Sequence, residues 1–274
     1  MAMIINTNIS SIAAQNSLHT SSLNEQRAME RLSSGLRINN AKDDAAGLAI
    51  STRMTAAIRG ISAAIRNAND GISATQTAEG SMGAIQDSLQ RIRELAVQSA
   101  NDTNGTADHS SLQTESSALI GEIDRVVAVT KFNGVSLING DFSAKAIQVG
   151  SNQTTNDYIS VTISNVSSSA LGIGSISLAT TNGSYSALNT LDTAINTVTA
   201  ARASMGAYQN QLNAAIQNLH NTSMNLQASR SRILDTDYAA ETTNLAKAQI
   251  IQQAATAMLA QANQSSQTVL ALLK

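Results

Sequence analysis

Two segments of the chain, Met1 to Asn24 and Ala248 to Leu273, contain no Asp, Glu, Lys or Arg, yet apolar positions recur along both at helical spacing. In the second, Ala248, Ile251, Ala255, Met258, Ala262, Ser265, Val269 and Leu272 follow one another at alternating steps of three and four. That spacing predicts one stripe along a helix, as in a coiled-coil seam. The other faces carry Gln249, Gln252, Gln253, Gln261, Asn263, Gln264 and Gln267, amides that can bond to neighbours without introducing charge. Ile5, Ile9 and Ile12 form a shorter stripe at the opposite end. Both ends are too polar for lipid and too uncharged for an ordinary surface, so burial against other helices is expected. Those helices belong either to other chains or to the same chain, and periodicity alone does not separate the two.

Between the ends the same period predicts long helices. Leu188, Leu191, Ile195, Val198, Met205, Leu212, Ile216, Leu219, Leu226 and Ile233 fall on one three-four register. A continuous helix over that interval is about 70 Å long at ~1.5 Å per residue. The amino-terminal half carries one seam at Ile58, Ile61, Ile65, Ala68 and Ile72, then, after a phase slip, another at Ala78, Met82, Ile85, Leu89, Ile92 and Ala96. A turn is expected from Asn101 to Asp108, followed by a third helix marked by Leu112, Leu119, Ile123 and Val126. Past Lys131 the pattern changes. Asn133-Gly134 and Asn139-Gly140 are turn signals, and Ile147, Val149, Ile159, Val161 and Ile163 alternate as half-exposed strand positions do. The predicted fold is mainly α, an elongated helical bundle with terminal coiled-coil helices and a small β-hairpin in a Ser/Thr/Asn-rich insert at about 131–186.

Composition supports this reading. Hydrophobic residues make up 42% of the chain but aromatic residues only 2%, which suits helix seams better than a thick globular core. Proline and cysteine are both absent, so long helices go uninterrupted and disulfides or thiol chemistry are excluded. A formal net charge of -2 provides no field for nucleic acid. The first residues lack the basic start and apolar run of a signal peptide, and no stretch suits membrane insertion.

Long phrases then narrow the identity. Ile5-Asn6-Thr7-Asn8 stands near the start, followed by RLSSGLRINNAKDDAAGLAIS from Arg31 to Ser51 and RNANDGISATQTAEGSM from Arg66 to Met82. LQRIRELAVQ runs from Leu89 to Gln98 and FNGVSL from Phe132 to Leu137. Towards the other end come MGAYQN from Met205, SRILDTDYAAET from Ser231 and QANQSSQTVLALL from Gln261. Over essentially its whole length the sequence resembles bacterial flagellin.

The resemblance implies a structural subunit that polymerises into the flagellar filament and transmits motor torque for swimming. It implies an inner, filament-core domain at 1–31 plus 236–274 and an outer helical domain at 32–235. Ile5, Ile9, Ile12, Ile251, Ala255, Met258, Ala262, Val269 and Leu272 would then be filament-core packing residues. The implied partners are further copies of the chain as a helical homopolymer, the flagellar type III export apparatus, a secretion chaperone, the filament cap and the hook-junction protein. The implied location is extracellular. Arg91, Leu95 and Glu115 match positions by which many flagellins are recognised by a Toll-like receptor; their plainer role is lateral contact between subunits. The chain has no room for the large outer domains that many flagellins carry.

Catalytic readings fail on the residues. His19, His109 and His220 are scattered and show no metal-ligand spacing, and no cofactor motif is present. Asp43-Asp44 reads as helix-start caps rather than a metal site. Leu171-Gly172-Ile173-Gly174-Ser175 lacks a phosphate-loop pattern, and the sequons at Asn152 and Asn165 need no glycan to explain them in such a segment. Two non-enzymatic alternatives remain: a hook-filament junction protein and a coiled-coil scaffold or adhesin.

Overall fold

The computed structural model describes residues 7–271, with 265–271 described as helical backbone. The chain is mainly α. Helices α1 (Ile9–Ser34), α2 (Ala45–Ser99) and α3 (Thr106–Val129) precede strands β1 (Lys131–Phe132), β2 (Val135–Ser136), β3 (Lys145–Gln148) and β4 (Tyr158–Val161), and helices α4 (Thr181–Leu234) and α5 (Tyr238–Ala271) complete the order. Two compact units result, Met1–Ala56 with Met224–Lys274, and Ala57–Ser223. Among the described residues no helix is long and apolar enough to cross a membrane.

Side-chain oxygens start the helices. The Asn8 carboxamide oxygen accepts from Ser11 N (3.1 Å), Asp44 Oδ1 from Gly47 N (2.8 Å), Thr180 Oγ1 from Gly183 N (3.1 Å) and Asp237 Oδ1 from Ala239 N (2.9 Å), each satisfying an otherwise unpaired first-turn donor. Asp43 Oδ2 accepts from Asn40 N (2.9 Å) and Asn39 N (3.3 Å), closing the turn before α2. The Asp43-Asp44 pair therefore caps and closes backbone. Gly35, at φ 71, ends α1 with its N–H bonded to Arg31 O at 2.8 Å.

In the unit Ala57–Ser223, α2 presents one uninterrupted seam. Ile61, Ala64, Ala68, Gly71, Thr75, Ala78, Met82, Ile85, Leu89, Ile92, Ala96 and Ser99 are all buried, at strictly alternating steps of three and four. The expected phase slip does not occur. Ile58, Ile65 and Ile72 flank a centre made of small residues, and a reading that weights large side chains misses that centre. The reason lies at Gly71. A Cβ there would meet Ile147 Cδ1 at 2.5 Å and Leu212 Cδ1 at 3.3 Å, so the hairpin strand β3 and helix α4 occupy the space a side chain would need. On α4 the buried centre likewise mixes small with large: Ser184, Ala187, Leu191, Ala194, Val198, Ala201, Met205 and, two turns further, Leu212. Leu188 and Ile195 pack at its edge.

Among the described residues the insert forms two small antiparallel hairpins, in keeping with the expected hairpin element. β1 pairs antiparallel with β2 around Asn133-Gly134, and β3 pairs with β4 with Ile147 opposite Ile159. Ile159 and Val161 face the core, as their alternation predicts. The return segment to α4 is held by Asp124, whose carboxylate accepts from Ser168 N (2.9 Å) and Ser168 Oγ (2.7 Å), and by Ser99, whose hydroxyl donates to Leu178 O at 2.7 Å. Helix α4 begins at Thr181, ahead of the apolar register, because Thr180 caps it and Ser184 and Ala187 extend its buried face.

Candidate functional site

The unit formed by Met1–Ala56 and Met224–Lys274 holds the two charge-free segments. There α1 and α5 lie antiparallel. Asn8 Nδ2 donates to Ala262 O at 2.9 Å, Ser21 Oγ to Ala248 O at 2.8 Å, and Arg31 Nη1 stands 3.7 Å from Glu241 Oε2. The pairs 8–262, 21–248 and 31–241 fix the register. Ser11, Ser21 and Ala28 of α1 and Glu241, Ala248 and Ala255 of α5 are buried, and Ala14, Leu18, Leu245, Gln252, Leu259 and Ala262 are half-buried. Serine and alanine at the centre let the two backbones approach closely enough for a serine hydroxyl to reach the opposite carbonyl.

The predicted packing residues divide between two faces. Ala255 and Ala262 join the α1–α5 seam, together with Ala248. Ile9 (68% exposed), Ile12 (58%), Ile251 (41%) and Met258 (64%) point outward, joined there by Ile250 (65%). Ile5 and Leu272 lie outside the described residues, as does the side chain of Val269. The sequence reading missed Ser11, Ser21, Arg31 and Glu241. On the three-four register Ser11, Ala14, Leu18, Ser21, Glu25 and Ala28 the small residues Ser11, Ala14, Ser21 and Ala28 mark the seam of α1, whereas its isoleucines mark the solvent face.

Grooves run along the pair. One, of about 630 Å³, is lined by Ala13, Ala14, Ile251, Ala254, Ala255 and Met258 among others. Another, of about 560 Å³, carries the polar heads of Asn24, Arg27, Arg31, Glu241, Asn244 and Lys247. The helix pair therefore has a thin dry seam inside and, along Ile9–Asn24 and from Ala248 onward, an uncharged, partly apolar surface outside. Burying one such isoleucine or methionine contributes roughly 1.5–3 kcal/mol, so this surface has a large drive to associate.

The second predicted group lies on α2 and α3. Arg91 donates from Nη2 (2.9 Å) and Nε (3.1 Å) to Glu115 Oε1 and from Nη1 to Glu94 Oε2 (3.0 Å). Hydrogen bonds to Glu94, then to Glu115, raise the guanidinium above its ordinary value. Leu95 is 1% exposed and belongs to the core beneath, so the surface of this patch is made by Arg91, Glu94 and Glu115. Arg93, bonded to Asp192 Oδ1 at 2.7 Å, ties α2 to α4, and that hydrogen bond raises its value in the same way. Among the described residues no group of three or more His, Asp or Glu side chains could hold a metal ion. His109 is buried, with Nδ1 2.7 Å from Ser99 Oγ and 3.1 Å from Leu178 O, a packing position that holds the loop before α4.

Comparison with known proteins agrees with this architecture. Residues 5–143 match the profile of the bacterial flagellin N-terminal helical region, and residues 188–273 that of the C-terminal helical region. A flagellin of Halalkalibacterium halodurans is 43% identical over 274 residues, covering 99% of this chain and 100% of that protein. A flagellin of Xenorhabdus nematophila is 44% identical over 315 residues, covering all of both. Among solved structures, Bacillus cereus flagellin superposes with a TM-score of 0.51 at 30% identity, over 56% of this chain and 88% of that one.

Proposed function

The chain belongs to the bacterial flagellin family, and we infer that the outward faces of its paired terminal helices join it to its neighbours in the filament. It is a secreted structural subunit that polymerises into the extracellular flagellar filament and serves motility. The observation that carries the interface reading is the exposure of Ile9, Ile12, Ile250, Ile251 and Met258 within the charge-free stretches of the two helices.

Assembly through such a surface follows from the energetics. Heterologous contacts repeated between identical subunits propagate a helix without closing it. Each added subunit covers apolar area that the free chain leaves in water, so burial in the lattice stabilises α1 and α5 by mass action. We assign inner-tube packing to 1–31 and 236–274 and the surrounding shell to 32–235, a division supported by the antiparallel seam between α1 and α5.

Family membership further implies export by the flagellar type III apparatus with a secretion chaperone, insertion beneath the filament cap, and attachment through the hook-junction protein. Recognition by a Toll-like receptor would use the exposed Arg91 and Glu115, with Leu95 supporting them from below.

Seeded growth tests the central claim. Purified chain added to short filament seeds and viewed by electron microscopy is expected to extend them, whereas a chain truncated before Ala248 is not. Discrete small oligomers from the full chain would instead identify a scaffold.

A further inference from the structure

The chain contains four Asn-Gly pairs, at Asn104, Asn133, Asn139 and Asn182, and Asn-Gly is where an asparagine side chain most readily cyclises, because glycine leaves the attacking backbone nitrogen unshielded. In the folded protein their surroundings differ. Asn104 Nδ2 donates to Gln98 O at 2.6 Å, and the Gly105 N–H is engaged by Asp108 Oδ2 at 2.9 Å. Asn139 is clamped at both ends, its Nδ2 donating to Asp141 Oδ2 (2.6 Å) and its Oδ1 accepting from Asp141 N (3.0 Å). Asn182 sits in the first turn of α4, with the Gly183 N–H donating to Thr180 Oγ1 at 3.1 Å.

Asn133 has no such restraint. It forms the tip of the β1–β2 hairpin, with φ 49 at Asn133 and φ 80 at Gly134, the pair of positive values that a two-residue type I′ turn requires. Both residues are exposed, among the described residues neither the Asn133 side chain nor the Gly134 N–H takes a hydrogen bond, and no atom of them lies within 4 Å of where a Gly134 side chain would begin. The strands behind the turn are two residues each, so local opening costs little. Cyclisation requires the backbone at the asparagine to rotate, and resistance to that rotation is what separates the four sites.

We propose that Asn133 is the site at which the folded chain undergoes spontaneous deamidation. The Gly134 backbone nitrogen, giving up its proton to solvent base, attacks Asn133 Cγ. The N–Cγ bond forms, the Cγ–Nδ2 bond breaks, and Nδ2 leaves as ammonia. One water then opens the succinimide at either carbonyl, producing aspartate or isoaspartate with no change of oxidation state. The isoaspartate product adds a methylene to the backbone of a two-residue turn, which breaks the register of Phe132 with Val135. Both products place a new negative charge at the hairpin tip.

The test is ageing of the full-length chain in mildly alkaline buffer, once folded and once in denaturant, followed by peptide mapping for the amide-to-acid mass change at all four sites. In the folded chain Asn133 is expected to convert several-fold faster than Asn104, Asn139 and Asn182, and in denaturant the four rates are expected to converge. An equal or faster rate at any other site in the folded chain overturns the proposal. So does an undiminished lead of Asn133 in denaturant, which would make local sequence rather than the fold the cause. Asp141→Ala, checked for native helicity, is expected to accelerate Asn139 towards Asn133, and an unchanged Asn139 rate would remove the restraint argument.

Discussion

Ser21 and Ala248 meet across the terminal helix pair through one hydrogen bond, the Ser21 hydroxyl donating to the Ala248 carbonyl at 2.8 Å with both residues nearly dry. A helix carbonyl is already used by its own ladder, so this bond forms only where the two backbones come close. That approach depends on small side chains at Ser11, Ser21, Ala28, Ala248 and Ala255.

Enlarging the seam should therefore separate the helices. Ala248→Leu is expected to destabilise the pair by about 1–3 kcal/mol through overpacking. Ser21→Ala, which removes only the hydrogen bond, should cost about 1 kcal/mol. Thermal unfolding followed by circular dichroism checks both, and an Ala248→Leu variant as stable as the parent would show that close approach is unimportant.

The outward residues should behave in the opposite way. Ile251→Gln and Met258→Gln are expected to leave the stability of the isolated chain within about 0.5 kcal/mol, as exposed positions do. In seeded growth each should raise the concentration needed for polymerisation by about tenfold or more, because a lost burial of roughly 1.5–3 kcal/mol compares with 1.4 kcal/mol per decade. Growth at the parental concentration would place the polymer interface elsewhere.

Glycines in α2 provide an internal comparison. A Cβ at Gly80 meets nothing within 4 Å, so Gly80→Ala should stabilise by about 0.5–1 kcal/mol through helix propensity alone. Gly71→Ala has the same propensity gain but confronts Ile147 and Leu212, so it should yield less. Adding Ile147→Val, which deletes the Cδ1 in the way, should couple favourably with Gly71→Ala by at least about 0.5 kcal/mol. A double-mutant cycle by chemical denaturation that shows strict additivity would refute the contact.

Ser116 is fully buried in α3, and among the described residues its Oγ has no hydrogen-bond partner. Replacing an unsatisfied buried hydroxyl removes a desolvation cost, so Ser116→Ala is expected to raise stability by about 1 kcal/mol. A loss of stability in the same denaturation experiment would mean that the hydroxyl is satisfied in solution.

Acid should release the turn before α2. Asp43 lies below its ordinary value of 3.8, first through the backbone donor of Asn40 and also through that of Asn39, partly opposed by desolvation. A depressed folded value means that its contribution is complete above 3.8 and fades as pH falls below it through the folded value. The Asn40 amide resonance should follow that titration in NMR spectra, and Asp43→Asn should abolish it. A midpoint at or above 3.8 would show that the carboxylate is not held.

Much of this molecule was readable from period and composition alone. Apolar recurrence at three-four steps, with no proline to interrupt it, determines α2, α4 and α5, because a long amphipathic stripe has few other ways to leave water. Asn-Gly and alternating Ile and Val determine the hairpins, and the family phrases from Arg31 to Ser51 and from Ser231 to Thr242 determine the kinship. Tertiary structure alone decided where the buried centre runs through the amino-terminal part of α2 and which residues meet between α1 and α5. Ala64 and Gly71, not Ile65 and Ile72, complete the buried centre of α2 beside Ile61 and Ala68, and Ser21, not Ile12, meets Ala248 between α1 and α5. The physical reason is that hydrophobicity states how much a side chain gains by leaving water, while close helix packing is limited by volume, and volume is set by the partner that arrives from elsewhere in the chain.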